Sequence, residues 1–154
     1  MNAPPRRRAG GFTLVELMVV FAVLALLVGL TPIAFDRLQI ASRYREAVRT
    51  MLTDMRAARH LAQSSGADQR FVVNLRERSF GVEGQPLHTM PDGLELRAIM
   101  ADQETAPDGR MAIRFLPRGG ASGGSVDVLR PSGSGVRLRV DWFSGRVEQE
   151  PVTR

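Results

Sequence analysis

The sequence predicts an α+β fold in which one long N-terminal helix, first transmembrane and then amphipathic, packs on an antiparallel β-sheet domain. Three patterns support it: an apolar run at 12–35, apolar or small residues every three or four positions to about residue 64, and apolar–polar alternation from about residue 69. We therefore divide the chain into a leader at 1–11, a membrane helix at 12–35, an amphipathic helix at 36–65 and a β-rich domain at 66–154.

The apolar run is long enough to cross a bilayer. As a helix it would extend about 36 Å, at about 1.5 Å per residue. Arg6, Arg7 and Arg8 precede it, and positive charge favours the cytoplasmic side, so we expect a cytoplasmic N-terminus and an exported domain. The run does not end in the small-x-small pattern of a secretory cleavage site. The sequence therefore predicts a single-pass anchor.

Glu16 is an acidic residue inside this apolar run. A carboxylate there costs about 2.5–3.5 kcal/mol and normally has a partner. A cut between Gly11 and Phe12 would create an α-amine four residues before Glu16. That amine could pair with Glu16 one helical turn away, or with Glu16 of a neighbouring subunit in a parallel stack of helices.

Gly11 followed by Phe-Thr-Leu-Val-Glu-Leu-Met-Val-Val resembles the prepilin-type signal of type IV pilins and type II secretion pseudopilins. The resemblance implies a type IV pilin-like fold, cleavage after Gly11 by a prepilin peptidase and N-methylation of Phe12. It also implies that Glu16 sets the register between subunits of a helical fibre. The alternative is an uncleaved anchor with an isolated glutamate.

The amphipathic helix begins near Asp36. Its apolar or small face consists of Leu38, Ala41, Tyr44, Val48, Met51, Met55, Ala58 and Ala62. Ser64-Ser65-Gly66 predicts its end, because glycine readily adopts the left-handed cap conformation. Pro32 predicts a break or bend of the helix where it leaves the membrane on the outer side, because proline lacks a backbone donor and clashes with the preceding turn.

Alternation predicts the strands of the C-terminal domain. The predicted strands are 70–76, 79–83, 94–100, 111–116, 125–130, 135–142 and 145–149. Pro-Asp-Gly and Pro-Ser-Gly sequences separate several of them, as expected for turns. Residues 84–92 and 101–109 are polar and proline-rich, which indicates surface loops.

The C-terminal part resembles the GspH/FimT family of H-type minor pseudopilins and FimT-like minor pilins. The resemblance rests on Phe115-Leu116-Pro117, Gly119, the Ser122–Gly124 segment and the Val140–Val147 segment. Pro117-Arg118-Gly119 departs from the Pro-Asp-Gly turn of that family. Considered without the family, Gly145 is a hairpin turn residue and Trp142 a core aromatic.

We find no catalytic, metal or cofactor site in the sequence. The chain has no cysteine and only two histidines, His60 and His88, and its serines Ser64, Ser65, Ser122 and Ser125 lack a recognisable base or elbow motif. The glycine-rich run 118–124 lacks the lysine and the helix start of phosphate-binding loops. We therefore predict that the protein is not an enzyme.

The net charge of the chain is only weak evidence for nucleic-acid binding. All 21 basic residues are arginine, and without Arg6, Arg7 and Arg8 the balance is 18 basic against 16 acidic residues, a net of +2. Most of the apparent basicity therefore belongs to the leader.

The leading hypothesis is an H-type minor pseudopilin near the tip of a periplasmic fibre anchored in the bacterial inner membrane. The resemblance implies these partners: prepilin peptidase, the major and other minor pseudopilins, the inner-membrane secretion platform and membrane lipid. The alternative is a FimT-like minor type IV pilin that binds DNA, although we do not expect nucleic acid as a partner. Its candidate phosphate contacts are Arg137, Arg139, Arg146 and Arg154.

Overall fold

The computed structural model describes residues 12–100 and 110–153, except for the side chains of residues 28–38. The chain forms two compact units, one ending at Leu38 and the other beginning at Gln39. Three predicted features lie outside the described residues: the whole leader at 1–11, with Arg6, Arg7, Arg8 and the cleavage position Gly11, the loop at 101–109, and Arg154. The α+β fold class is confirmed by one helix and eight strands among the described residues.

Helix α1 spans Leu14–Ser65. At its start the Thr13 carbonyl accepts a hydrogen bond from the Leu17 N–H at 3.2 Å, and the Thr13 hydroxyl accepts one from the Glu16 N–H at 3.2 Å. At its end the Gly66 N–H donates to the Ala62 carbonyl at 3.1 Å, and Gly66 has a φ of 69°. The predicted glycine cap is therefore confirmed.

The helix continues through Pro32. The predicted break of the helix at Pro32 is not found. A single proline removes only one N–H donor, and the hydrogen bonds of the flanking turns keep the backbone helical. A bend there stays a prediction.

Within the part of the chain whose side chains are described, no helix has an apolar stretch that meets the length and hydropathy needed to cross a bilayer. Residues 28–35 of the predicted span belong to the segment without described side chains.

The strands form two four-stranded antiparallel sheets, with orders β3-β2-β1-β5 and β4-β6-β7-β8. Their bounds are Gln69–Asn74 (β1), Ser79–Val82 (β2), His88–Thr89 (β3), Glu95–Ile99 (β4), Arg110–Phe115 (β5), Gly124–Leu129 (β6), Gly135–Val140 (β7) and Val147–Val152 (β8). Seven of these correspond to predicted strands. The short β3 lies in the predicted loop 84–92, because Phe80 and Ser79 of β2 pair with His88 and Thr89.

One hydrophobic core joins the second half of α1 to both sheets. The buried side chains on the helix are Tyr44, Ala47, Met51, Leu52, Met55, Ala58 and Ala62. The predicted stripe is confirmed from Tyr44 onward, with Val48 partly buried, and Ala47 and Leu52 extend it sideways. Phe71, Phe80 and Phe115 are the largest fully buried side chains opposite the helix. The amphipathic face is thus covered by the sheets.

The prediction that Trp142 is a core aromatic is wrong, because its side chain is 69% exposed. Apolar residues Leu138 and Val140 do point inward from β7, but the strand ends at Val140. The chain then turns, so the alternation that would bury Trp142 stops two residues before it. The predicted strand 135–142 is correspondingly shorter, and β8 begins at Val147 rather than at 145.

Candidate assembly and binding surfaces

The described N-terminal segment is an exposed apolar helix. Every side chain from Phe12 to Leu27 is exposed, including Phe12 at 83% and Leu14 at 76%. A contiguous apolar surface of this kind is rare on a soluble monomer and marks contact with a membrane or another protein.

Glu16 occupies the third position of α1, and the preceding Thr13 caps the helix through the Glu16 N–H. Thr-x-x-Glu is the sequence pattern of a capping box, and an acidic group in the first turn also interacts favourably with the helix dipole. Sequence reasoning assigned Glu16 a counter-charge and overlooked this pattern, although Thr13 and Glu16 carry the signal for it. The Glu16 backbone thus takes part in the helix cap, and the role of its side chain in assembly stays a prediction.

Arg137 is one of the predicted nucleic-acid contacts, and the structure pairs it with a carboxylate. Its Nε and Nη2 donate to the two carboxylate oxygens of Asp127 at 2.7 and 2.9 Å. Asp127 is only 5% exposed. The pKa of Arg137 is raised, first by the hydrogen bond to Asp127 and then by the charges of Asp127 and Glu150. A phosphate would have to displace this bidentate pair.

Arg139 is also paired. Its Nη2 donates to Glu148 at 3.1 Å, and its Nε lies 2.8 Å from a carboxylate oxygen of Glu150. Both acids lie on the neighbouring strand β8, in register with β7. The charge of Arg139 is thus balanced by carboxylates on the same sheet.

The pairs belong to a row of alternating charge across all four strands of this sheet. Arg97 on β4 is opposite Asp127 on β6, which is opposite Arg137 on β7, which is opposite Glu150 on β8. Opposite charges at directly facing positions stabilise strand pairing. The structure therefore places Arg137 and Arg139 among carboxylates, whereas the third candidate, Arg146, is exposed in the turn after β7.

Among the described residues, His60 and His88 belong to no group of three or more potential metal ligands. His88 Nε2 lies 3.5 Å from Asp54 Oδ2, and its ring centroid lies 5.7 Å from that of Phe80. Burial raises the pKa of Asp54, and the charge of His88 opposes that effect. These contacts connect the short edge strand β3 to helix α1.

The glycine-rich run 118–124 connects β5 to β6, as predicted, and its last residue, Gly124, is the first residue of β6. Ser122 is engaged in backbone contacts: its Oγ accepts from the Arg114 N–H at 3.0 Å. A Cβ at Gly120 would lie 3.0 Å from the Trp142 carbonyl oxygen, and one at Gly123 would lie 3.2 Å from the Trp142 Cβ. The run is therefore a close-packed support for the turn after β7.

That turn, residues 141–146, presents Trp142 and Phe143 to solvent. They are 69% and 78% exposed, and their ring centroids lie 5.8 Å apart in an edge-on arrangement. One oxygen of Asp141 accepts from the Ser144 N–H at 2.8 Å and from its hydroxyl at 2.7 Å. These two hydrogen bonds are the main reason that the pKa of Asp141 is lowered. Gly145 completes the turn with a φ of 64°, as predicted for a hairpin turn residue.

Helix α1 and the strands β7 and β8 form an apolar cleft of about 320 Å³. Its lining residues are Tyr44, Arg45, Val48, Arg49, Leu52, Val136 and Gln149. The arginines are exposed, whereas Tyr44 and Leu52 are buried. The cleft therefore combines an apolar floor with a basic rim.

Two family models match this chain, one at its N-terminal segment and one over most of the remainder. The prokaryotic N-terminal methylation motif matches residues 6–31, and the model of the type II transport protein GspH matches residues 47–145. Type II secretion system protein H of Xanthomonas campestris pv. campestris is 30% identical over 149 residues, covering 96% of this chain and 86% of that protein.

A solved structure has a similar fold. The minor pseudopilin EpsH from the type 2 secretion system of Vibrio cholerae superposes with a TM-score of 0.53 at 12% identity. The match covers 72% of this chain and 97% of that one.

Proposed function

We propose a structural role in a secretion fibre, from the premise that this chain belongs to the GspH family of type II transport proteins. It is accordingly an H-type minor pseudopilin of the type II secretion system. The finer proposal is that it is inserted near the tip of a periplasmic pseudopilus that drives folded proteins out of the cell.

The observation that carries this proposal is the match of the methylation motif at residues 6–31 ahead of an exposed apolar helix. We propose that prepilin peptidase cuts after Gly11 and that the new N-terminus of Phe12 is methylated. Before assembly, lipid of the inner membrane covers the helix, the N-terminus is cytoplasmic and the β-domain is periplasmic.

Assembly transfers the apolar helix from lipid to other helices. Such association depends on close packing and on polar groups that find partners, so a carboxylate without a partner opposes burial. We propose that Glu16 pairs with the α-amine of a neighbouring subunit and thereby fixes the register. The partners are the peptidase, the major and other minor pseudopilins and the inner-membrane secretion platform.

The experiment is to replace Glu16 in the bacterium that produces the protein and to follow fibre incorporation. Glu16→Gln keeps a side chain that can take part in a capping box but loses the charge, whereas Thr13→Ala removes the capping hydroxyl and keeps the charge. We expect Glu16→Gln to insert in the membrane normally, with reduced co-purification of other pseudopilins and reduced secretion. Thr13→Ala is the matched control and should retain most of both. Normal incorporation of Glu16→Gln would contradict the charge-pairing role.

We propose no catalytic activity. Two of the serines and histidines considered for chemistry have contacts within the fold: Ser122 bonds to backbone groups and His88 contacts Asp54. DNA binding is the competing function, and the carboxylates around Arg137 and Arg139 argue against it.

A further inference from the structure

Residues 83–89 lie at one edge of the sheet β3-β2-β1-β5, and we call them the edge segment. All of them are exposed, whereas Val82 and Met90 on either side are buried. The edge segment contains β3, which pairs with β2 at only two positions. A segment with few buried side chains and few backbone hydrogen bonds opens locally at a low cost in free energy. A single further contact therefore has a large influence on how often this segment opens.

The contact between His88 and Asp54 connects the edge segment to helix α1. The His88 Nε2 lies 3.5 Å from the Asp54 Oδ2. That oxygen is buried and has no hydrogen-bond partner among the described residues. Because no hydrogen bond joins the two side chains, their attraction depends on charge, and it requires a protonated imidazole and an ionised carboxylate.

The edge segment covers the outer edge of β2. A Cβ at Gly81 would lie 3.0 Å from the Leu87 Cδ2 and 3.6 Å from the Pro86 carbonyl oxygen. Just after the segment, the Met90 N–H donates to the Arg78 carbonyl at 2.7 Å. An uncovered sheet edge presents unpaired backbone groups that can pair with another strand. Opening of the segment would therefore expose the edge of β2.

His88 is the group of this region that ordinarily titrates near neutral pH. Glu46 of α1 lines the same cavity of about 250 Å³ as His88, and its negative charge adds to that of Asp54. The β2 residues paired with β3, Ser79 and Phe80, carry no titratable group. Carboxylates and guanidinium groups ordinarily titrate outside pH 6–8, whereas histidine titrates within this range. The other charged groups next to the segment are Asp92, Arg78, which donates to the Pro91 and Leu94 carbonyls, and Glu83, which lies 3.9 Å from Arg70.

We propose that the edge segment is a pH-sensitive cover of the β2 edge, held closed while His88 is protonated and Asp54 is ionised. As the pH rises past the ordinary titration range of histidine, about 6.5, His88 loses its charge and the segment opens more often. Burial raises the pKa of Asp54, so the contact also weakens in acid. This device does not depend on assembly into a fibre, and it can be measured on the isolated protein.

Amide hydrogen exchange of the full-length protein in detergent, measured by mass spectrometry at about pH 6 and about pH 8, tests this proposal. The exchange rate of peptides that cover the edge segment is divided by the rate of the same peptides in the unfolded protein, which removes the intrinsic effect of pH. We expect protection to be about two- to fivefold higher at the lower pH, the range for a partly exposed ion pair. Equal protection at the two pH values would overturn the proposal.

The two histidines of the chain provide a variant and its matched control. His88→Gln keeps a polar side chain without the charge, and it should fold because the His88 side chain is 52% exposed. We expect this variant to show the same protection at both pH values, and Asp54→Asn to do the same. His60→Gln replaces the other histidine, which is exposed on α1, and should keep the wild-type difference. A difference that persists in His88→Gln or Asp54→Asn, or that disappears in His60→Gln, would overturn the proposal.

Discussion

The guanidinium of Arg137 forms a bidentate pair with the carboxylate of Asp127, at distances of 2.7 and 2.9 Å. The side chain of Asp127 is 8% exposed and that of Arg137 is 36% exposed. Asp127 lies on β6 and Arg137 on the adjacent β7, in direct register. The pair therefore connects two central strands and satisfies a buried carboxylate.

Replacing Arg137 with Ala should destabilise the fold, because it leaves the buried carboxylate of Asp127 without its main partner. Arg139→Ala is the control, since it removes an arginine from the same strand whose acidic partners Glu148 and Glu150 are about half exposed. We expect a clearly larger fall in melting temperature for Arg137→Ala. Equal falls would show that the two pairs contribute alike.

Asp54 should give the fold a distinct pH dependence. Burial raises its pKa above the ordinary 3.8, and this effect exceeds the opposing influence of His88. Because the pKa of Asp54 is raised in the folded state, the contribution of Asp54 to stability is complete below pH 3.8. That contribution is lost as the pH rises through the folded-state pKa of Asp54. Asparagine at this position does not ionise, so Asp54→Asn avoids the loss of stability. We therefore expect the variant to melt at a higher temperature than the wild type at pH 7.

The difference between Asp54→Asn and the wild type should shrink as the pH falls toward 3.8. Thr53→Ala, at an exposed position on the same helix, removes no titratable group and is the control, which should show no such trend. A lower melting temperature of Asp54→Asn at pH 7 would mean that its contact with His88 outweighs the burial of its charge.

The core between helix and sheets should respond strongly to Met51→Ala. Met51 is fully buried, and truncation of such a side chain costs about 2–5 kcal/mol in the free energy of unfolding. Thr53→Ala, two residues along the same helix and exposed, should change it by less than about 0.5 kcal/mol. Denaturant titration of both variants measures the difference. Similar values would contradict the packing of α1 on the sheets.

The full-length protein in detergent should not bind DNA with the affinity of a DNA-uptake subunit. The reason is that Arg137 and Arg139 already pair with Asp127, Glu148 and Glu150. Fluorescence titration with labelled DNA at low and high salt measures this. Tight, salt-sensitive binding that is lost in Arg137→Ala and Arg139→Ala would support the competing DNA-binding function.

The helix and most strands were predictable because their patterns are local. The spacing from Tyr44 to Ala62 identified the buried face of α1, and alternation identified seven of the eight strands in the described part of the chain. The two-residue strand β3 escaped notice, since its only signature is its pairing with Phe80 and Ser79. Trp142 was misplaced because alternation in β7 was extended past the point where Asp141 and Ser144 begin a turn.

The surfaces were less predictable, because they depend on which strands lie side by side. Arg137 and Arg139 were correctly assigned to one strand, but only the register shows that Asp127 and Glu150 flank them. The glycine-rich run and the turn at 141–146 contributed separately to the family resemblance. They contact each other through Gly120, Gly123 and Gly145. This tertiary contact cannot be predicted from either segment alone.

We propose that the chain becomes a fibre subunit once its leader is removed at Gly11. Mass spectrometry of the protein isolated with the assembled fibre measures this directly. We expect a chain that begins at Phe12 with one methyl group on its amine. A fibre-associated chain that still begins at Met1 would contradict it.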